Sequence, residues 1–127
     1  LIRVGDLMHS GDALPRVTQD ADLKAAILEM SAKGLGMTAV VDSQNHAVGV
    51  ITDGDLRRIL QDIDHINGIE VASVMGVQPK TIHATKLASE ALHVMQTKRV
   101  SGLLVVDDEL HLLGAIHMHD LLKAGIV

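Results

Sequence analysis

The feature that most constrains this chain is an internal repeat. Met30 and Met95, Lys33 and Lys98, Asp42 and Asp107, Gly49 and Gly114, Asp55 and Asp120, and Leu56 and Leu121 all stand 65 positions apart, and Val17 and Ile82 keep that offset. Met8 and Met75 differ by 67 (75 − 8), so the first lead-in loop is two residues longer than the second. A register sustained over so many positions predicts two copies of one unit, over residues 1–64 and 65–127. The period exceeds that of ordinary solenoids, and two copies predict a pseudo-twofold pair rather than an array. A unit of about 60 residues has a thin core by itself, so the copies are expected to bury their sheets against each other.

Periodicity gives the order of elements within a copy. Val4 to Met8 reads as a short helical lead-in, followed by a loop through His9, Ser10, Gly11 and Asp12, and Arg16 to Thr18 as a brief extended segment. Leu23, Ala26, Ile27 and Met30 fall at i, i+3, i+4 and i+7, which predicts a helix over 22–33 ended by Gly34 and Gly36. Thr38 to Val41 and Ala47 to Ile51 are β-rich runs flanking a polar turn, and a helix is expected from Asp53 to about Gln61. Asp62 to Gly68 reads as a linker. The order then recurs: Val71 to Met75 mirrors the lead-in, Thr81-Ile82 is extended, and Ala88, Ala91, Leu92 and Met95 form a helical face. Leu103 to Val106 and Leu112 to Ile116 are strands, and His119 to Ala124 the last helix. The fold class is α/β, with duplicated β-α-β-β-α units packed as a pseudo-twofold pair.

Composition excludes several functions. The 127 residues include no Phe, Tyr or Trp, so the core rests on Leu, Ile, Val, Ala and Met, and aromatic stacking on nucleic-acid bases is impossible. A net charge of −5 also opposes a phosphate-backbone partner. With no cysteine, disulfides and thiolate metal sites are excluded. No apolar run approaches a membrane span and no signal peptide is evident, so a cytoplasmic setting is expected. The first residue is Leu rather than Met, which is the expectation for a piece of a longer protein.

Chemistry concentrates in Gly49-Val50-Ile51-Thr52-Asp53-Gly54-Asp55-Leu56-Arg57-Arg58, where a buried strand runs straight into a helix. Such a junction offers free backbone N–H groups and the positive end of a helix dipole, suited to an anion or a polyhydroxyl ligand. Thr52 and Asp55 supply a hydroxyl and a carboxylate there. The stretch returns as Gly114-Ala115-Ile116-His117-Met118-His119-Asp120-Leu121-Leu122-Lys123. Thr52-x-x-Asp55 is equally the pattern of a helix capping box, and the four residues alone leave capping and binding both open. His117-x-His119 with Asp120 has chelate-like spacing, but neither a cysteine nor a third convergent histidine accompanies it, so no metal site is expected. His9, His46, His65, His83, His93 and His111 lie mainly in loops or on helices and are expected to be mostly solvated.

The two stretches in register, with Leu7-Met8 and Val74-Met75 as lead-ins, resemble the CBS domain pair, or Bateman module, over essentially the whole chain. Thr52 to Arg58 and His117 to Gly125 further resemble the C-terminal region of bacterial arabinose 5-phosphate isomerases, whose SIS sugar-isomerase domain precedes the pair and serves Kdo and lipopolysaccharide synthesis. The resemblance implies that the Ser/Thr and Asp of each motif hold a nucleotide ribose in a cleft between the copies. Thr52 with Asp55, flanked by Asp53, would make one corner, and His117 with Asp120 the other. The strands beginning at Thr38 and Ser101 would sandwich the base, and Arg57, His117 and His119 would meet a phosphate or carboxylate. The implied ligand is CMP-Kdo, or AMP or ATP. No catalytic residue and no required cofactor are expected in this chain. The implied partners are the isomerase domain of the parent and a second CBS pair in a homodimer. The alternative is a structural module that assembles the parent oligomer with its clefts empty. An independent enzyme is poorly supported, because no nucleophile–base set is present.

Overall fold

A computed structural model describes all of residues 1–127. The chain forms α1 (Val4–Leu7), a 3-10 turn (Gly11–Ala13), β1 (Arg16–Thr18), α2 (Leu23–Lys33), β2 (Met37–Val41), β3 (Ala47–Thr52) and α3 (Asp53–Asp62). A second 3-10 turn (Val71–Ser73), β4 (Gly76–Val77), β5 (Thr81–His83), α4 (Ala88–Lys98), β6 (Gly102–Val106), β7 (Leu112–His117) and α5 (Met118–Lys123) follow. The expected elements are all present; β4 and the turn over Gly11–Ala13 were not anticipated.

Two compact units result, and each takes its lead-in from the other repeat. The first is Pro15–Pro79 and the second is Leu1–Leu14 together with Lys80–Val127. In the first unit the sheet order is β1-β2-β3-β4, with β1 parallel to β2 and the other pairs antiparallel. In the second the order is β5-β6-β7, and an antiparallel bridge between His9 and Ala115 stands where β4 stands in the first. The parallel pair in each unit is reached through a helical crossover, as parallel strands require.

Each core combines a helix face with a sheet face. Ala26, Met30, Val40, Ile51 and Val71 form the first. Val4, Ile82, Ala88, Ala91, Met95, Leu103, Val105, Ile116 and Leu121 form the second. The lead-ins enter at equivalent points: the Val71 N–H donates to the Ala21 carbonyl at 2.9 Å, and the Val4 N–H to the Lys86 carbonyl at 2.8 Å. Val4 and Val71 are both fully buried, which is worth about 1.5–3 kcal/mol each in apolar transfer. Fixed capping explains the helix ends. The Asp22 carboxylate accepts from the Ala25 N–H at 2.8 Å, and Gly34 closes α2 in the left-handed region at φ 69°. No helix is long and apolar enough to cross a membrane.

Candidate functional site

Each motif forms a corner where an antiparallel strand passes directly into a helix. Thr52 ends β3 and is the N-cap of α3. Its Oγ1 accepts from the Asp55 N–H at 3.1 Å, and Asp55 Oδ2 accepts from the Thr52 N–H at 3.0 Å. The other Asp55 oxygen is ion-paired with Arg58. His117 ends β7 and caps α5: its Nδ1 accepts from the His119 N–H at 3.1 Å, and Asp120 Oδ2 accepts from the His117 N–H at 2.8 Å. The His117 and His119 rings lie 4.5 Å apart and tilted. The capping box anticipated for Thr52 and Asp55 is present, His117 and Asp120 form a second one that was not anticipated, and both orient the carboxylates rather than removing them. Each oxygen of a carboxylate can accept twice, so both retain capacity for a ligand.

The other expected residues are placed as follows. Asp53 is exposed at the start of α3, and its N–H donates to the Gly36 carbonyl at 3.1 Å. Arg57 is exposed on α3 with no ion pair. Ser101 is exposed, and its carbonyl accepts from the Met118 N–H at 2.8 Å. Its counterpart at the 65-residue offset is Gly36 (101 − 65), not Thr38. Gly36 has φ +71°, and a Cβ there would fall 3.1 Å from Asp53 Oδ2, so the first unit needs glycine where the second carries a hydroxyl. His119 is exposed.

Thr38 is a correction. The strand it begins is expected to sandwich a base, but the Thr38 side chain is fully buried and its hydroxyl donates to the Ala26 carbonyl at 3.1 Å, tying β2 to α2. A buried hydroxyl must find an acceptor, and an adjacent helix carbonyl was not legible from β-strand alternation. A shallow depression lined by Met30, Gly36, Asp53 and Leu56 among others borders the start of α3.

The histidines also depart from expectation. His9 is half-buried, with Nε2 2.8 Å from Asp120 Oδ1. His46 and His111 each fold back onto the first residue of their hairpin turn, with Nδ1 2.9 Å from Asp42 Oδ2 and Asp107 Oδ2. The pattern Asp-x-x-x-His at 42–46 and 107–111 was the available signal. The Asp42 carboxyl sits below its ordinary value chiefly because the His46 backbone N–H donates to it, with His46 Nδ1 and the Gln44 N–H adding to the effect. For Asp107, desolvation pushes upward but is outweighed by the N–H groups of His111 and Glu109, and the carboxyl again sits low.

The comparison with protein families decides what this duplicated architecture is. The CBS domain model matches residues 4–62 and again 71–126. The chain belongs to the CBS domain family. Over all 127 residues this CBS pair is 43% identical to arabinose 5-phosphate isomerase KdsD of Pseudomonas aeruginosa, and 42% identical to KdsD of Escherichia coli K12. It covers 39% and 38% of those proteins, so the chain spans about two fifths of the length of the curated relatives it matches. Among solved structures, CBSX2 in complex with AMP superposes with a TM-score of 0.83 at 22% identity, covering 99% of this chain and 97% of that one. The CBS domain pair of protein MJ0100, in complex with 5′-methylthioadenosine and S-adenosyl-L-methionine, gives 0.85 at 20%, covering 100% and 99%. At those identities the structural likeness establishes the fold.

Proposed function

We propose that this CBS pair is a ligand-binding regulatory module of a D-arabinose 5-phosphate isomerase in Kdo and lipopolysaccharide synthesis, acting in the cytoplasm on an SIS isomerase domain elsewhere in the parent. The observation that carries the proposal is the pair of pre-oriented carboxylates, Asp55 and Asp120, each held at the third position of a capped helix. A fixed carboxylate accepts from adjacent hydroxyls in charge-assisted bonds, which suits a ribose. Similarity over the whole of this chain to the KdsD C-terminal region, and the AMP complex of CBSX2, support the same reading.

Thr52, Asp53, Asp55 and Arg57 serve one corner, and His117, His119 and Asp120 the other, with Ser101 beside it. The ligand is a nucleotide or nucleotide-sugar. AMP and ATP fit the bound adenosine compounds of the structural relatives; CMP-Kdo, a downstream product with a ribose, a phosphate and a carboxylate, fits feedback on the parent. Regulation requires that the ligand bind two states of the parent unequally. Homodimerisation of the pair belongs to the same proposal.

Calorimetric titration of the chain with AMP, ATP, CMP and CMP-Kdo tests it, repeated on Asp55→Ala and Asp120→Ala. Saturable binding that one substitution abolishes identifies the occupied corner. No heat from any of the four, with dimers still present in sedimentation, turns the reading to an assembly module.

A further inference from the structure

The two corners part company at one lead-in position. Because Met8 and Met75 are equivalent, His9 stands where the other lead-in has Gly76. The backbone is used identically: Gly76 pairs with Val50 and His9 with Ala115, and 115 − 50 is again 65. His9 exchanges both backbone hydrogen bonds with Ala115, at 2.8 and 3.0 Å. From that fixed register its imidazole reaches over the end of β7 to Asp120 on α5, with Nε2 2.8 Å from Oδ1. Gly76 has no side chain to do the same for Asp55, whose outer oxygen is ion-paired with Arg58, a side chain 70% exposed. Lys123 occupies the position of Arg58 and makes no ion pair with Asp120.

A carboxylate only accepts, so His9 Nε2 carries the hydrogen and donates. Asp120 Oδ2 meanwhile accepts from the His117 N–H. Each oxygen thus holds one protein donor and keeps one acceptor site, and both are fixed from outside the ligand. That is the acceptor pattern for two adjacent hydroxyls, with the ordering cost already met before binding. Other charged groups of the lead-in face elsewhere: Asp6 accepts from the Arg3 N–H, and the Arg3 guanidinium donates to the Thr85 carbonyl. α5 is a single short helix of six residues, so the carboxylate rather than a helix dipole sets the chemistry.

We propose that His9 is a positioning residue of the second corner, holding Asp120 so that this corner selects ligands bearing a vicinal diol. The inference rests on the nucleotide reading above. Its test compares AMP with 2′-deoxy-AMP, which lacks the diol, in an Asp55→Asn background that leaves one carboxylate corner. The unsubstituted His9 chain should prefer AMP by roughly tenfold, and His9→Gly should reduce that preference to roughly twofold. His9→Gln, which carries an amide N–H to about the reach of Nε2, should restore it. A merely structural loss would weaken both nucleotides alike. An undiminished preference in His9→Gly overturns the proposal.

A ligand-free arm separates this outcome from failure of the nucleotide reading. The ring ¹⁵N shifts of His9 should report the Nε2–H form and should change on Asp120→Ala, or on Asp120→Ser if the alanine variant does not fold. If neither nucleotide binds, the nucleotide reading falls, and an Asp120-dependent ring signature still supports the positioning role. A His9 signature indifferent to Asp120 overturns it whether or not a nucleotide binds.

Discussion

Gly114 lies so close to Met8 that a Cβ built on it would fall 2.6 Å from the thioether sulfur and 2.8 Å from the His9 carbonyl. Gly49 stands in the same relation to Met75, with the Gly76 carbonyl 3.0 Å from where its Cβ would be. The glycine that opens each motif is thus a docking point for a methionine lead-in. A methionine can move aside, but the backbone carbonyl is held in a strand bridge and cannot. Gly114→Ala should therefore destabilise the chain by about 2–3 kcal/mol, and Gly49→Ala by about 1–2 kcal/mol, in urea unfolding. Shortening the methionine in Gly114→Ala/Met8→Ala should recover little, because the carbonyl contact persists.

Two left-handed positions are matched between the units but not equally furnished. Gly34 at φ 69° corresponds to Arg99 at φ 57°, and Asn45 at φ 66° to Leu110 at φ 68°. Glycine and asparagine tolerate this region, whereas Arg and Leu carry a Cβ penalty of about 1 kcal/mol. Arg99→Gly and Leu110→Gly should each stabilise the chain by roughly 0.5–1 kcal/mol, and Gly34→Ala should cost about as much. Thermal unfolding followed by circular dichroism reads all three. A loss of stability in both glycine variants would contradict the account.

The hairpin turns set an acid limit. The carboxyls of Asp42 and Asp107 sit below their ordinary values in the folded chain, and Asp20, accepting from the Thr18 hydroxyl, does so as well. A depressed folded value means that the unfolded state takes up protons first as pH falls. The stabilisation is complete above the unfolded value, about pH 4, and is lost as pH drops through the folded values. Unfolding midpoints in urea should therefore hold steady from pH 7 to about pH 5 and decline below about pH 4. Asp42→Asn and Asp107→Asn should each flatten that decline. An unchanged acid limb in the double variant would assign the limit to other groups.

Much of this was legible because duplication tests every local assignment twice. The α2 and α4 faces are written in apolar spacing, and both recur at the same offset, so helix, strands and corners were readable together. The exchange of lead-ins was not. Val4 and Val71 look alike in sequence, and nothing local says that Val71 packs with Met30 rather than with Met95. The two-residue strand β4 carries no periodicity at all. Within the site, Thr52 and Asp55 were legible as a pair, but the same residues encode a cap, and only geometry shows that capping leaves acceptor sites open. In the sequence His9 reads as a loop histidine, because its partner lies 111 positions away. Thr38 differs for another reason: the strand it begins reads as a wall for a base, and its hydroxyl is taken by a helix carbonyl that strand alternation does not reveal.

Stability and binding can be separated within the first corner. Thr52 caps α3 through its hydroxyl, so Thr52→Ala should lower stability by about 1 kcal/mol, while Thr52→Ser should retain the cap and lose little. Arg57 is exposed and unpaired, so Arg57→Ala should leave stability unchanged within about 0.5 kcal/mol. If the corner holds a nucleotide phosphate, Arg57→Ala should nevertheless weaken AMP binding several-fold, and raised salt should narrow the difference from the parent chain. Thr52→Ala should weaken binding as well, but Thr52→Ser should restore affinity and stability together. The decisive pairing is Arg57→Ala with full stability. Undiminished affinity there would remove Arg57 from the site and leave the corner to its hydroxyl and carboxylate alone.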